Sequence, residues 1–293
     1  MASHEKDLSV GRNLKIGVFH LGSGMADVLT TGVWNRIMIS DLGFAAIPVS
    51  LLISLRYFLA PIGVWAGRVS DKKTFFGLRR LFWIWLGRGM MVLSTFGLGF
   101  ATAELARHPG EATWLSWLSL AATLILFSLG SALSGSTFLA LIYDRAAEKQ
   151  RGRAVGIVWT FLLLGFTIGG IFFSVMLPEA EGAGNLSFSP NDLLNLFLVS
   201  GGLFAGLWFF SLLGEERRGS IPSVDTETET EINWRNDLAL VWSLPSMRFF
   251  LFYLTLSMFF AFSQDPVLEP FAGDVFGMDA QTTNRFAAYW GGT

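Results

Sequence analysis

Seven stretches of this chain, each about the length of a membrane-spanning helix and poor in charge, constrain what it can fold into. They run approximately over 14–39, 46–67, 81–103, 114–142, 154–177, 191–213 and 248–271, and an eighth begins near Thr282 and is cut off at Thr293. A hydrocarbon layer about 30 Å thick takes roughly 20 helical residues. Inside it only helices and closed barrels satisfy every backbone N–H and C=O. The expected fold is therefore all-α: a polytopic membrane protein with seven full transmembrane helices and the start of an eighth. Composition agrees, because 15% charged residues is well below the roughly 25% of soluble domains.

Lys and Arg set the orientation of such a chain. Lys6, Arg12 and Lys15 precede the first span, five more lie between the second and third, four follow the fourth, and Arg217, Arg218, Arg235 and Arg248 lie between the sixth and seventh. Sixteen of the 21 basic residues thus fall on one side, while the alternate loops hold only Arg107 among seven acids. The N-terminus is expected to be cytoplasmic. Met1 to Arg12 shows no signal-peptide pattern, so the first span itself is expected to direct insertion.

Several chemistries find no foothold. Cysteine is absent, which excludes disulfides and thiolate metal sites. No nucleophile elbow, paired histidines at metal spacing or phosphate-binding glycine loop is present, so the chain is not expected to be an enzyme. No basic patch interleaved with aromatics points to nucleic acid.

Residues 1–213 read as a six-helix bundle, 214–247 as a cytoplasmic linker and 248–293 as the start of a second bundle. The linker is rich in Glu, Ser and Thr, and its end, Ile232 to Leu244, has the makings of a short surface helix. Small residues four apart recur at Gly63 and Gly67, Ser131 and Gly135, Gly165 and Gly169, and Gly202 and Gly206. Such pairs let membrane helices approach closely.

Charges within apolar runs are costly and mark cavities or partners. Gln264, Asp265 and Glu269 end the seventh run, with Pro266 expected to kink the helix right after Asp265. Asn35 and Arg36 end the first run at a similar depth, a faint repeat that suggests Arg36 faces Asp265 or Glu269. The charge state of a buried Glu269 depends on whether Arg36 or Arg285 pairs with it. Arg56 and Arg88 also sit in apolar runs, Arg56 as the better cavity candidate, and His20 lies among glycines on the first.

The loop from Gly67 through Asp71 to Gly77-Leu78-Arg79-Arg80 resembles the signature loop of the major facilitator superfamily, with a few residues inserted. That resemblance implies two six-helix bundles and a cytoplasmic latch built from Gly67, Asp71, Arg79, Arg80 and Arg145, with Arg145 the candidate partner of Asp71. Asn35-Arg36, this loop with Phe82-Trp83-Ile84-Trp85-Leu86-Gly87, and the segment from Gln264 to Met278 are together similar to the bacteriochlorophyll delivery family of PucC and LhaA proteins. Gln264, Asp265, Leu268, Glu269, Pro270, Gly273, Val275, Phe276, Gly277 and Met278 match that family's pattern, while Pro266, Phe271, Ala272 and Asp274 depart from it.

The resemblance implies a twelve-helix protein of a bacterial inner, intracytoplasmic or thylakoid membrane. It implies a non-enzymatic assembly factor that delivers or holds chlorophyll or bacteriochlorophyll for antenna or photosystem core subunits. His20, Gln264 or Glu269 would ligate the pigment magnesium, with Asn35, Arg36, Arg56 and Asp265 around the site. Two other readings stay open. One is a proton-coupled transporter using Asp265, Glu269 and Arg36, and the other is a structural subunit of a photosynthetic supercomplex.

Overall fold

The computed structural model describes residues 8–108, 113–177, 189–216, 239 and 242–292, apart from the side chains of Phe262, Asp265 and Trp290. Most of the 214–247 linker, the bulk of its expected surface helix included, lies outside the described residues. Among the described residues the chain is helical, with one isolated bridge, Phe75 to Leu78, and no strand.

Helix α1 runs over Val10–Asp27 and continues through π-helical turns at Val28–Trp34 and Ile37–Asp41. It is followed by α2 (Ala46–Lys72), α3 (Arg80–Arg107), α4 (Trp114–Arg145), α5 (Arg151–Met176) and α6 (Pro190–Ser211). Three further helices are α7 (Pro245–Phe262), α8 (Asp265–Phe276) and α9 (Ala280–Gly292). Among the described residues six helices are long and apolar enough to cross a membrane, α7 and α8 counting together. The first helix falls outside that set because Arg12, Lys15 and Asp27 share its eighteen α-helical residues. The chain is an all-α, multi-pass membrane protein.

In α1 to α6 apolar side chains meet at the helix crossings, where Phe19, Trp34, Phe138, Phe173, Phe197, Phe204 and Trp208 are fully buried. α1 packs on α5 and α6, α3 on α4 and α6, and α2 on α4, while α9 returns to lie along α5. Backbones touch at several crossings. A Cβ on Gly165 of α5 would lie 3.0 Å from the Gly24 Cα of α1, and one on Gly87 of α3 would lie 3.0 Å from Ser134 of α4. A Cβ on Gly63 would lie 2.7 Å from the Ala132 carbonyl oxygen of α4, and one on Gly169 would meet Met25. Gly135, Gly202 and Gly206 face open space instead, so the small-residue spacing marked some contacts and not others.

The seventh apolar stretch is broken. The expected kink after Asp265 falls before it, at Ser263 and Gln264, and Pro266 sits in the first turn of α8. A proline disrupts the turn on its N-terminal side, where its ring opposes the carbonyl four residues back. Here that residue is Phe262, the last of α7.

Candidate functional site

Pro266 and Pro270 are four residues apart, so in α8 the Pro266 carbonyl has no N–H from Pro270 to accept. Asn35, fully buried on the first helix, donates its Nδ2 to that oxygen at 2.6 Å. Ser40 Oγ donates to the Pro270 carbonyl at 3.3 Å. Pro270 thus frees the Pro266 carbonyl, and with the Ser40 contact this docks α8 on the end of the first helix.

Arg36 completes this joint differently from the expectation. Its guanidinium bonds Asp41, on its own helix end, at 3.0 and 3.2 Å, and donates to the Met278 carbonyl at 2.7 Å. It shares a cavity wall with Glu269, while the Asp265 side chain lies outside the described residues. Arg285 is exposed. Asp41 lies past the end of the first span, where burial pushes its carboxyl up to about 6, against the pull of Arg36 and with Asp274 adding to the rise.

Beneath the joint lies an open cleft of about 190 Å³ walled by Asp27, Val28, Thr31 and Gly32 of the first helix, Phe166 of α5, Gln264 at the helix break, Leu268 and Glu269 of α8, and Phe286 and Ala287 of α9. The break turns Gln264 and Glu269 toward the first helix. Asp27, at the mouth, is paired with Arg56 of α2. Arg56 is therefore part of this site through Asp27, with its guanidinium also over the Tyr57 ring. Gly32 and Glu269 also line a second, tightly packed void with Val33, Arg36, Leu177, Ala280, Thr283 and Asn284. Asn284 donates to the Gly170 carbonyl at 3.1 Å, and its Oδ1 is buried with no donor.

His20 is elsewhere. Seven residues before Asp27, it packs on Phe138 and edges Trp159 at 4.8 and 6.2 Å between ring centroids. The structure therefore separates it from Gln264 and Glu269. Arg88, 3% exposed, lies between Phe19 and Trp208 at 4.3 and 4.6 Å from the ring centroids. The π faces offset part of its charge.

The opposite face carries a charged network. The loop after α2 closes in a tight turn, with Phe75 and Leu78 exchanging backbone hydrogen bonds and positive φ at Phe76 and Gly77. This returns Arg80 to Asp71, its partner in place of Arg145, and to Ser70 Oγ and the Gly67 carbonyl. Arg79 and Arg80 both reach Asp144. Just after α6, Glu216 accepts from the backbone N–H groups of Arg79, Arg80 and Leu81 at 2.8, 3.1 and 2.8 Å. Its charge caps the positive end of α3. The buried Glu215 holds Arg12 at 2.7 Å and Lys15 at 3.4 Å.

A family model described as PUCC protein matches residues 33–293, which takes in the joint, the basic loop and the cleft apart from Asp27, Val28, Thr31 and Gly32. The chain belongs to the PUCC protein family. Among its relatives in that family are a Protein PucC of Rhodovulum sulfidophilum, 29% identical over 98% of this chain and 63% of the relative. Another is the Bacteriochlorophyll synthase 44.5 kDa chain of Rhodobacter capsulatus, 30% identical over 95% of this chain and 60% of the relative. A third, an uncharacterized protein in the puhA-bchM intergenic region of Rhodobacter capsulatus, is 25% identical over 94% of this chain and 57% of itself. The chain thus spans about three fifths of the length of these curated relatives.

Within this PUCC family member, sequence reasoning missed Asp27, Asn284, Asp144, Glu215 and Glu216. Asp27 was open to discovery, being an acid in an apolar run like Asp265. Asn284 carried no signal beyond its place in the eighth apolar stretch.

Proposed function

We propose that this protein holds a chlorophyll-type pigment in the membrane for the assembly of light-harvesting or photosystem antenna complexes, without catalysing a reaction on it. The observation that carries this reading is the cleft in which the family-matching Gln264 and Glu269 are turned against the first helix beside Phe166, Leu268 and Phe286. The name of one relative, the Bacteriochlorophyll synthase 44.5 kDa chain, supports the pigment connection. The cleft is open, and its volume of about 190 Å³ is below the roughly 300–1,000 Å³ of sites that engulf a drug-sized ligand, so part of a pigment held there would lie outside it.

The residues suit such a guest. Glu269 and Gln264 would offer hard oxygens to a magnesium, Phe166, Leu268 and Phe286 would give a ring apolar walls, and Asp27 is charge-paired with Arg56. The bound pigment would bring light absorption; the protein's part is to ligate, orient and keep water out. His20, in its own aromatic setting, falls outside this pocket.

Purification from a pigment-producing host tests this directly. The protein is expected to carry a Soret and a red absorption band, and its deletion to deplete an antenna complex while pigment synthesis continues. A colourless protein and normal antenna assembly in the deletion strain would remove the reading. Solute-dependent proton uptake in proteoliposomes would favour a transporter instead.

A further inference from the structure

We propose that the hairpin between α2 and α3 is an anchor for anionic lipid: Phe76 enters the bilayer interface while Arg68 and Lys73 meet the headgroup phosphates. This surface is separate from the cleft and stands independently of the pigment reading.

The turn carries the first observation. Phe75 and Leu78 exchange backbone hydrogen bonds at 2.8 and 2.9 Å around Phe76 and Gly77, which have φ of 53° and 77°. Two-residue hairpin turns with two positive φ angles favour Asn-Gly. Here the first place is held by Phe, a bulky side chain that rarely adopts such a backbone. Phe76 is the only non-glycine residue with positive φ among the described residues. Strain of this kind persists where the surroundings impose it, and it gathers at sites of function.

The fold gains little burial in return. Phe76 is 82% exposed and meets Phe82 with ring centroids 5.9 Å apart. The turn is nonetheless held at its base, where Arg80 donates to Ser70 Oγ at 2.6 Å and to the Gly67 carbonyl at 3.2 Å, and Glu216 accepts from the Arg79 N–H at 2.8 Å. A fixed support thus presents an apolar ring outward.

The surroundings select the occupant. Below Phe76, the rings of Phe82, Phe75, Trp83 and Trp65 follow one another with centroids 5.0 to 5.6 Å apart. Such aromatic belts mark the membrane–water interface. Arg68 and Lys73 are exposed beside the hairpin, as is Lys72 at the end of α2, while the carboxylate among them, Asp71, is paired with Arg80. Because the hairpin joins two helices long and apolar enough to cross a membrane, its tip stays near the headgroups. Its basic residues place it on the side expected to be cytoplasmic, and that leaflet carries the anionic lipids.

The chain has no cysteine, so Thr74→Cys, exposed on the hairpin, can carry a single nitroxide in the purified whole chain. Its shielding from an aqueous nickel chelate is measured in nanodiscs of phosphatidylcholine, alone and mixed with phosphatidylglycerol. Phosphatidylglycerol is expected to raise the shielding about fivefold, the effect of one cation at an anionic surface, and high salt to reverse the rise. Arg68→Ser combined with Lys73→Ser is expected to abolish it. Phe76→Asn is expected to abolish it too, while raising the melting temperature in detergent, because Asn tolerates positive φ; the higher melting shows that this variant folds. Equal shielding in both nanodiscs, or a rise that survives these substitutions, would overturn the proposal. Lower melting of Phe76→Asn in detergent would overturn it as well, by showing that Phe76 serves the fold.

Discussion

Asn35 donates its side-chain amide to the Pro266 carbonyl, the acceptor that Pro270 deprives of its helical N–H. One side chain of the first helix thereby completes the backbone of another helix more than two hundred residues later. That bond explains why a segment with two prolines stays helical beside the cleft. It also makes the cleft sensitive to residue 35.

Asn35→Leu leaves a buried carbonyl unpaired, at a cost of about 1–3 kcal/mol. Pro270→Ala restores the missing N–H, so the same Asn35→Leu change is expected to cost less in that background. Melting in detergent of the wild type, both single variants and the double variant measures the coupling. Additive losses would show that the carbonyl does not depend on Asn35.

Glu216→Ala removes three hydrogen bonds from the N-terminus of α3. Loss of a helix cap costs about 0.5–2 kcal/mol. Hydrogen exchange is expected to quicken at Arg79, Arg80 and Leu81 and to stay unchanged in α5. Glu215→Ala should instead loosen the start of α1 by freeing Arg12 and Lys15.

Asp41 gives stability a pH dependence. Its ordinary value of 3.8 is raised to about 6, chiefly by burial. A carboxyl raised by folding is stabilising in its protonated form, so its contribution is present below 3.8 and is lost as pH rises through about 6. The melting temperature of wild type relative to Asp41→Asn is therefore expected to fall as pH is raised from about 4 to 7. A constant difference between the two proteins would contradict this.

Gly165→Val is expected to split the α1–α5 crossing, because its side chain would meet the Gly24 backbone. Overpacking of this kind costs about 1–3 kcal/mol or more. Gly202→Val faces open space and should leave melting and yield near wild type. Equal losses from both would mean that the crossing is not what Gly165 serves.

Much of the fold was legible because a membrane leaves few choices. Each apolar run had to become a helix, and the observed helices begin and end within about six residues of the runs. The Lys and Arg pattern likewise marked the ends gathered on one face, since Arg12, Lys15, Arg79 and Arg80 join one network. The site was legible only in part. Intramembrane acids and amides announced that Asn35, Arg36, Arg56, Gln264 and Glu269 needed partners, but not which ones.

The sequence by itself determined the solvent, the helices and the residues too polar to face lipid, because those follow from the cost of each group in hydrocarbon. Tertiary structure alone decided the pairings: Arg36 with Asp41, Arg56 with Asp27, Asp71 with Arg80, and Asn35 with a carbonyl exposed by a distant proline. Which groups meet depends on how helices turn and cross. Spacing along one chain carries no record of the rotation of another.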